Sequence, residues 1–185
     1  MVETDRGSLP FALVHGEPLV ACAVWALGEA GVFVVDLGTS WEAVTDADVP
    51  FVLHDPLCPL TPPEFIAECV THAAERAAVV VGVRPVTDTV KELHDGRVAA
   101  TVDRNTLLQV VSPIVLPAAV VAALDGVPTL DFAALVAELA QRFPVETLEA
   151  PAEARRATDQ SDLRVLEALT APDGPQGTQG RPIDG

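Results

Sequence analysis

A chain of 185 residues, 49% of them hydrophobic, can bury one proper core and is short for two, so a single compact domain over residues 1–170 is expected. Its 27 acidic against 11 basic residues give a formal charge of −16, which repels nucleic acid and anionic membrane surfaces and excludes both as natural partners. Cys22, Cys58 and Cys69 share no metal or disulfide spacing, the longest apolar runs (77–83 and 114–123) are too short to span a bilayer, and the first residues lack a signal layout, so a cytoplasmic protein with reduced thiols is expected.

In chain order, residues 17–30 place Leu19, Val20, Ala23, Val24 and Leu27 at helical spacing, with Gly31 as a stop. Residues 32–37 (VFVVDL) and 51–53 are short apolar runs suited to buried strands, joined by a loop with at most a helical turn. Thr61-Pro62-Pro63-Glu64 opens a helix whose core face is Phe65, Ile66, Cys69 and Val70 and which ends near Arg76. Residues 77–83 (AAVVVGV) read as a buried strand, and strand, helix, strand requires a parallel crossover. Alternation at 86–93 and 97–102 around His94-Asp95-Gly96 predicts a projecting β-hairpin, an arm over residues 84–104. Helices are predicted at 116–124, 131–143 and 161–169, a strand at 145–148, and a disordered Pro/Gly tail over 171–185. The fold class is α/β, a mostly parallel sheet flanked by helices.

Particular segments resemble one family. His54-Asp55 with Pro59-Leu60 is similar to the HDAARPL strand end of the 2-C-methyl-D-erythritol 4-phosphate cytidylyltransferases. Residues 85–91 (PVTDTVK) resemble that family's PVxDTxK arm, Val102-Asp103-Arg104-Asn105 with Leu107 and Leu108 its return strand, Ser112-Pro113 its Thr-Pro-Gln, and residues 158–163 (TDQSDL) its TxPEDL. The resemblance runs from about residue 10 to 169, with residues 31–50 much shorter than in the family. It implies a Rossmann-like nucleotidyltransferase fold whose arm pairs two subunits into a homodimer. It also implies substrate contacts at Asp55, Thr89, Arg104, Ser112 and Arg156, with Asp55 the position for Mg²⁺ in an active enzyme.

Other family positions are altered. Where relatives carry a glycine-rich phosphate loop, only Arg6-Gly7-Ser8-Leu9 precedes Pro10, and where they carry Pro-Lys-Ala-Leu this chain has Pro10-Phe11-Ala12-Leu13. Phe11 cannot supply the cation that steadies charge on an attacked phosphate, a contact worth about 10²–10³ in rate in comparable electrostatic sites. Lys91 is the only lysine in the chain. Cys58 stands for the arginine of HDAARPL, Ile114 for the glutamine after Thr-Pro, Glu153 near the family's aspartate, and the base-reading GGxxRxxSV segment is missing.

The expectation is therefore a relative that has lost catalysis and serves as a dimeric binding, regulatory or scaffold protein with a further protein partner. The alternatives are an active cytidylyltransferase, joining CTP to a sugar-alcohol phosphate with Mg²⁺, and a binder of phosphorylated small molecules. Taken without the resemblance, Asp55 suits a turn as well as a ligand, Thr89 and Arg104 suit any hairpin, and Arg155-Arg156 suits a solvated pair. No histidine pattern has metal-ligand spacing.

Overall fold

The computed structural model describes residues 7–36, 38–86, 90–94, 97–103 and 107–171, with the backbone alone for 90–94 and 97–102. The expected arm residues Thr89 and Arg104, the turn at Asp95-Gly96 and the tail from residue 172 lie outside them. A short hairpin of β1 (Leu13–Val14) and β2 (Glu17–Pro18) leads into α1 (Leu19–Glu29). Its turn residues His15 and Gly16 sit at φ 51° and 85°. Histidine is costly there, and His15 is tied down by its N–H on Glu167 Oε1 (3.0 Å) and its Nε2 against Thr170 Oγ1 (2.6 Å).

Next come α2 (Trp41–Asp46), β3 (Phe51–Leu53), α3 (Pro63–Arg76) and β4 (Val79–Pro85), all close to expectation. The hairpin β5 (Val90–His94) and β6 (Arg97–Val102) is antiparallel, as the alternation predicts. It grows from the end of the ladder between β4 and β7 (Leu108–Leu116), whose last pair is Pro85 with Leu108. The chain ends its regular structure with α4 (Ala118–Ala122), α5 (Phe132–Leu139), β8 (Val145–Glu149) and α6 (Gln160–Leu169). Among the described residues no helix is long and apolar enough to cross a membrane.

The main sheet has the order β3-β7-β4-β8. Because β7 is antiparallel to both β3 and β4 while β8 is parallel to β4, three strands point one way and β7 alone runs against them. Val79, Val81 and Val83 face one core with Leu135 and Leu139 of α5, and Val80 faces the other with Phe65 and Cys69 of α3. Burial on both faces explains the unbroken valine run.

Pattern alone does not reveal β7, because Pro113 interrupts it and proline is ordinarily an edge residue. The missing N–H is accommodated by a register irregularity facing it, between Val81 and Val83. The run at 32–37 is a correction in the other direction. Residues 32–36 form no strand, and Phe33 is 94% exposed. Apolar β-branched residues mark an ability to pair, but a strand exists only where a neighbour takes its backbone groups.

Gly82 sits where β4 presses on β7. A Cβ there would lie 2.9 Å from the Ser112 carbonyl oxygen, closer than backbone can tolerate. Gly82→Ala is expected to destabilise the fold by about 1–3 kcal/mol through overpacking. Gly28→Ala, which meets nothing within 4 Å on α1, should instead stabilise by about 0.5–1 kcal/mol. Urea unfolding of the two variants checks the contrast.

Candidate functional site

Since β3, β4 and β8 share a direction, their C-terminal ends lie along one edge of the sheet, the end where open α/β sheets bind ligands. Beyond β3 come His54 and Asp55, at the end of β4 stands Arg84, and beyond β8 a 3₁₀ turn (Ala152–Ala154) delivers Arg155 and Arg156. Ser112 comes from β7, buried and beside Gly82.

Three of the five expected site residues meet here. The Asp55 N–H donates to Ser112 Oγ (2.7 Å). Asp55 Oδ1 accepts the Leu57 N–H (2.9 Å), and Oδ2 accepts Arg156 Nε (2.8 Å). The Asp55 side chain is 5% exposed and that of Arg156 33%, so the pair lies at the rim of the core. The loop is stitched to the β3 end again by the Ala157 N–H on the Leu57 carbonyl (2.7 Å). Arg155 turns away to Asp162 Oδ1 (3.2 Å), whose other oxygen accepts the Thr158 N–H and hydroxyl. Asp159 caps α6, and the Ser161 hydroxyl and backbone N–H groups on its carboxylate hold its pKa below the usual range.

Arg156 Nε sits on one oxygen of the Asp55 carboxylate, so a cation drawn to that oxygen would compete with the guanidinium. Among the described residues no group of three or more His, Cys, Asp or Glu is placed to hold a metal.

Two positions where the family has polar side chains have joined the core. Cys58 and Ile114 are both fully buried, and burial pushes the Cys58 thiol up to about 12, so it supplies no thiolate. Phe11 is 57% exposed on the wall of a cavity of about 510 Å³ with Ser8, Leu9, Ala12, Thr158 and Gln160, none of them charged. Glu153 lies half-buried on the 3₁₀ turn.

Two residues that sequence reasoning did not count as site residues border the site. Arg84 is half-buried and donates from Nη1 to the Ala150 carbonyl (2.8 Å), adding a cation at the root of the arm. Its signal was present, a charge ending a buried valine run. His54 has both ring nitrogens buried with no hydrogen-bond partner, and burial lowers its pKa to about 4, offset in part by the Asp55 charge.

A model of the family described as 2-C-methyl-D-erythritol 4-phosphate cytidylyltransferase matches residues 36–170. The chain belongs to that family. It is 40% identical over 133 residues to the cytidylyltransferase of Frankia casuarinae, covering 68% of this chain and 48% of that protein. It is 36% identical over 141 residues to that of Saccharopolyspora erythraea, covering 73% and 61%. The crystal structure of the cytidylyltransferase from Thermus thermophilus superposes with a TM-score of 0.62 at 24% identity, over 88% of this chain and 94% of that one, a likeness of fold. In sequence the chain spans about half the length of the curated cytidylyltransferases it matches.

Two outcomes follow for this cytidylyltransferase-family site. Removing one member of a buried ion pair strands the other charge, at about 3–5 kcal/mol when both are fully buried. Arg156→Met should cost less, about 1–3 kcal/mol, because the guanidinium is one-third exposed and water can take its place beside the Asp55 carboxylate. In a double-mutant cycle with Asp55→Asn the two losses should be strongly non-additive. For His54, the folded pKa lies below the unfolded one. Its contribution is therefore fully present above about pH 6.5 and is lost as pH falls towards 4, by up to about 3 kcal/mol. Denaturation midpoints across that range should slope for the wild type and flatten in His54→Gln.

Proposed function

We propose that the chain is a cytidylyltransferase-family protein that has left nucleotidyl transfer and serves as a dimeric binding or regulatory protein, pairing through its hairpin arm. The observation that carries this reading is the Asp55–Arg156 ion pair. In a working transferase both groups would face ligand, the carboxylate towards metal and the cation towards phosphate, and here each takes up the other's charge. Phe11, at the position of the family's lysine, supports it further. Among the described residues its cavity is lined by no charged side chain, and a triphosphate requires fixed cations or backbone donors around its oxygens. The burial of Cys58 and Ile114 removes two more polar contacts.

A second reading, an active enzyme joining CTP to a sugar-alcohol phosphate, is favoured by the 40% identity to the Frankia casuarinae cytidylyltransferase. One pair of measurements separates the two. Titration of the protein with CTP and Mg²⁺ to millimolar concentration should give no saturable heat, and CTP with methylerythritol phosphate should yield no pyrophosphate. Saturable binding together with pyrophosphate release would return the chain to the active transferases.

Positive charge does persist at this end of the sheet, since Arg84 donates to a carbonyl rather than to a carboxylate. That observation favours phosphorylated polyols as the ligands to screen. A binder would show a rise in melting temperature with ligand concentration, through linkage to the native state.

A further inference from the structure

A second cavity, of about 590 Å³, is lined by none of Asp55, Ser112 and Arg156. It lies where α1 meets the 59–63 loop and the residue that follows α6, with Cys22, Trp25, Leu60, three prolines of that loop and Thr170 on its walls. Ligand pockets run from about 300 to 1,000 Å³, so the size is ordinary for one. Trp25 is 62% exposed on this wall. The hydroxyls of its two threonines are already committed, Thr61 Oγ1 donating to the Cys58 carbonyl (2.9 Å) and Thr170 Oγ1 to the Leu166 carbonyl (2.8 Å). Among the described residues Glu17 is the one charged residue on the walls. Its carboxylate stands near Cys22, whose thiol is pushed up by burial and then by that charge.

We infer that this cavity is the docking site of the chain's own residues 181–183 (RPI), with Pro182 and Ile183 against Trp25 and the loop prolines and the Arg181 guanidinium on the Glu17 carboxylate. The sequence beyond α6 and the cavity match group for group. Residues 172–185 contain a single basic side chain, Arg181, and a single large apolar one, Ile183, with a proline between them. The cavity offers a single carboxylate among otherwise apolar walls. Proline-containing segments are preorganised in an extended form and dock on aromatic-lined grooves. Arginine is the cation best suited to lie over a tryptophan face while it pairs with a carboxylate.

Tethering selects this segment over a free ligand. The chain leaves its last helix at the cavity itself, since Thr170 is on the wall. Ile183 lies 13 residues beyond Thr170, and a flexible stretch of that length has an end-to-end distance of about 20 Å, which puts the cavity within reach. A segment so tethered acts at an effective concentration of about 1 mM, so a contact with a dissociation constant of about 1 mM already half-fills the site. Seated there, the segment covers the apolar walls and ties the end of α6 to α1.

Alkylation of the folded full chain with iodoacetamide, a neutral reagent, tests the inference, because Cys58 and Cys69 are buried and Cys22 is partly exposed. Ile183→Asp and Arg181→Glu should each alkylate at Cys22 several-fold faster than the wild type, while Gln176→Ala should match it. A disulfide gives a second readout. Under mild oxidation Ile183→Cys should close onto Cys22 within one chain faster than Gln176→Cys does, the reverse of the order that loop length alone favours. Equal alkylation of Ile183→Asp, Arg181→Glu and the wild type, or closure at least as fast from Gln176→Cys, would overturn the inference. Wild-type protection of Cys22 that grows with protein concentration would overturn it too, by assigning the cavity to another molecule.

Discussion

Asp55 joins parts of the chain that are far apart in sequence. Its own N–H reaches Ser112, 57 residues on, and its Oδ2 holds Arg156, 101 residues on. A carboxylate this deep costs several kcal/mol unless its oxygens are satisfied, and the Leu57 N–H and the Arg156 guanidinium together offset that cost. The arrangement ties the end of β3, the centre of β7 and the loop after β8 into one corner. It depends in turn on the close approach of β4 to β7, where the absence of a side chain at Gly82 lets the Ser112 backbone come in.

The same bond shapes the functional reading. Nucleotidyl transfer relies on cations and metal-bound carboxylates arranged around developing phosphate charge. Here the carboxylate and the arginine face each other at the rim of the core, and that contact holds the loop to the end of β3. The replacements nearby point the same way. Cys58 and Ile114 belong to the core, and Phe11 gives an uncharged wall to its cavity. The fold tolerates these changes because the valines of β4 and their partners on α3 and α5 hold it together, apart from the site's polar groups. Function resides in the site, and a family fold can persist after the site has changed.

The stretch from β1 to residue 36 departs from this pattern. Val14, Leu19, Ala23 and Ala26 are buried, whereas Leu13, Val24, Trp25 and Phe33 to Val35 are exposed. The backbone groups of residues 33–35 are likewise unused within the described chain.

Helices α1 and α3, strands β3 and β4 and the hairpin β5–β6 were legible in the sequence because each is announced locally, by three-and-four spacing, a valine run, or alternation around Asp-Gly. Asp55, Ser112 and Arg156 were singled out through family resemblance. Their bonds to one another were not, since no local pattern records a contact spanning 57 or 101 residues. Strand β7 was hidden by Pro113, and residues 32–36 misled because strand propensity is a property of a segment while strand formation is a property of a pair. The sequence by itself determined which segments could become helix or strand and which chemical groups were available. Only the tertiary structure decided which strands paired, that β7 runs against its neighbours, and that the Asp55 carboxylate is neutralised by Arg156, because backbone pairing and burial depend on what lies alongside in space.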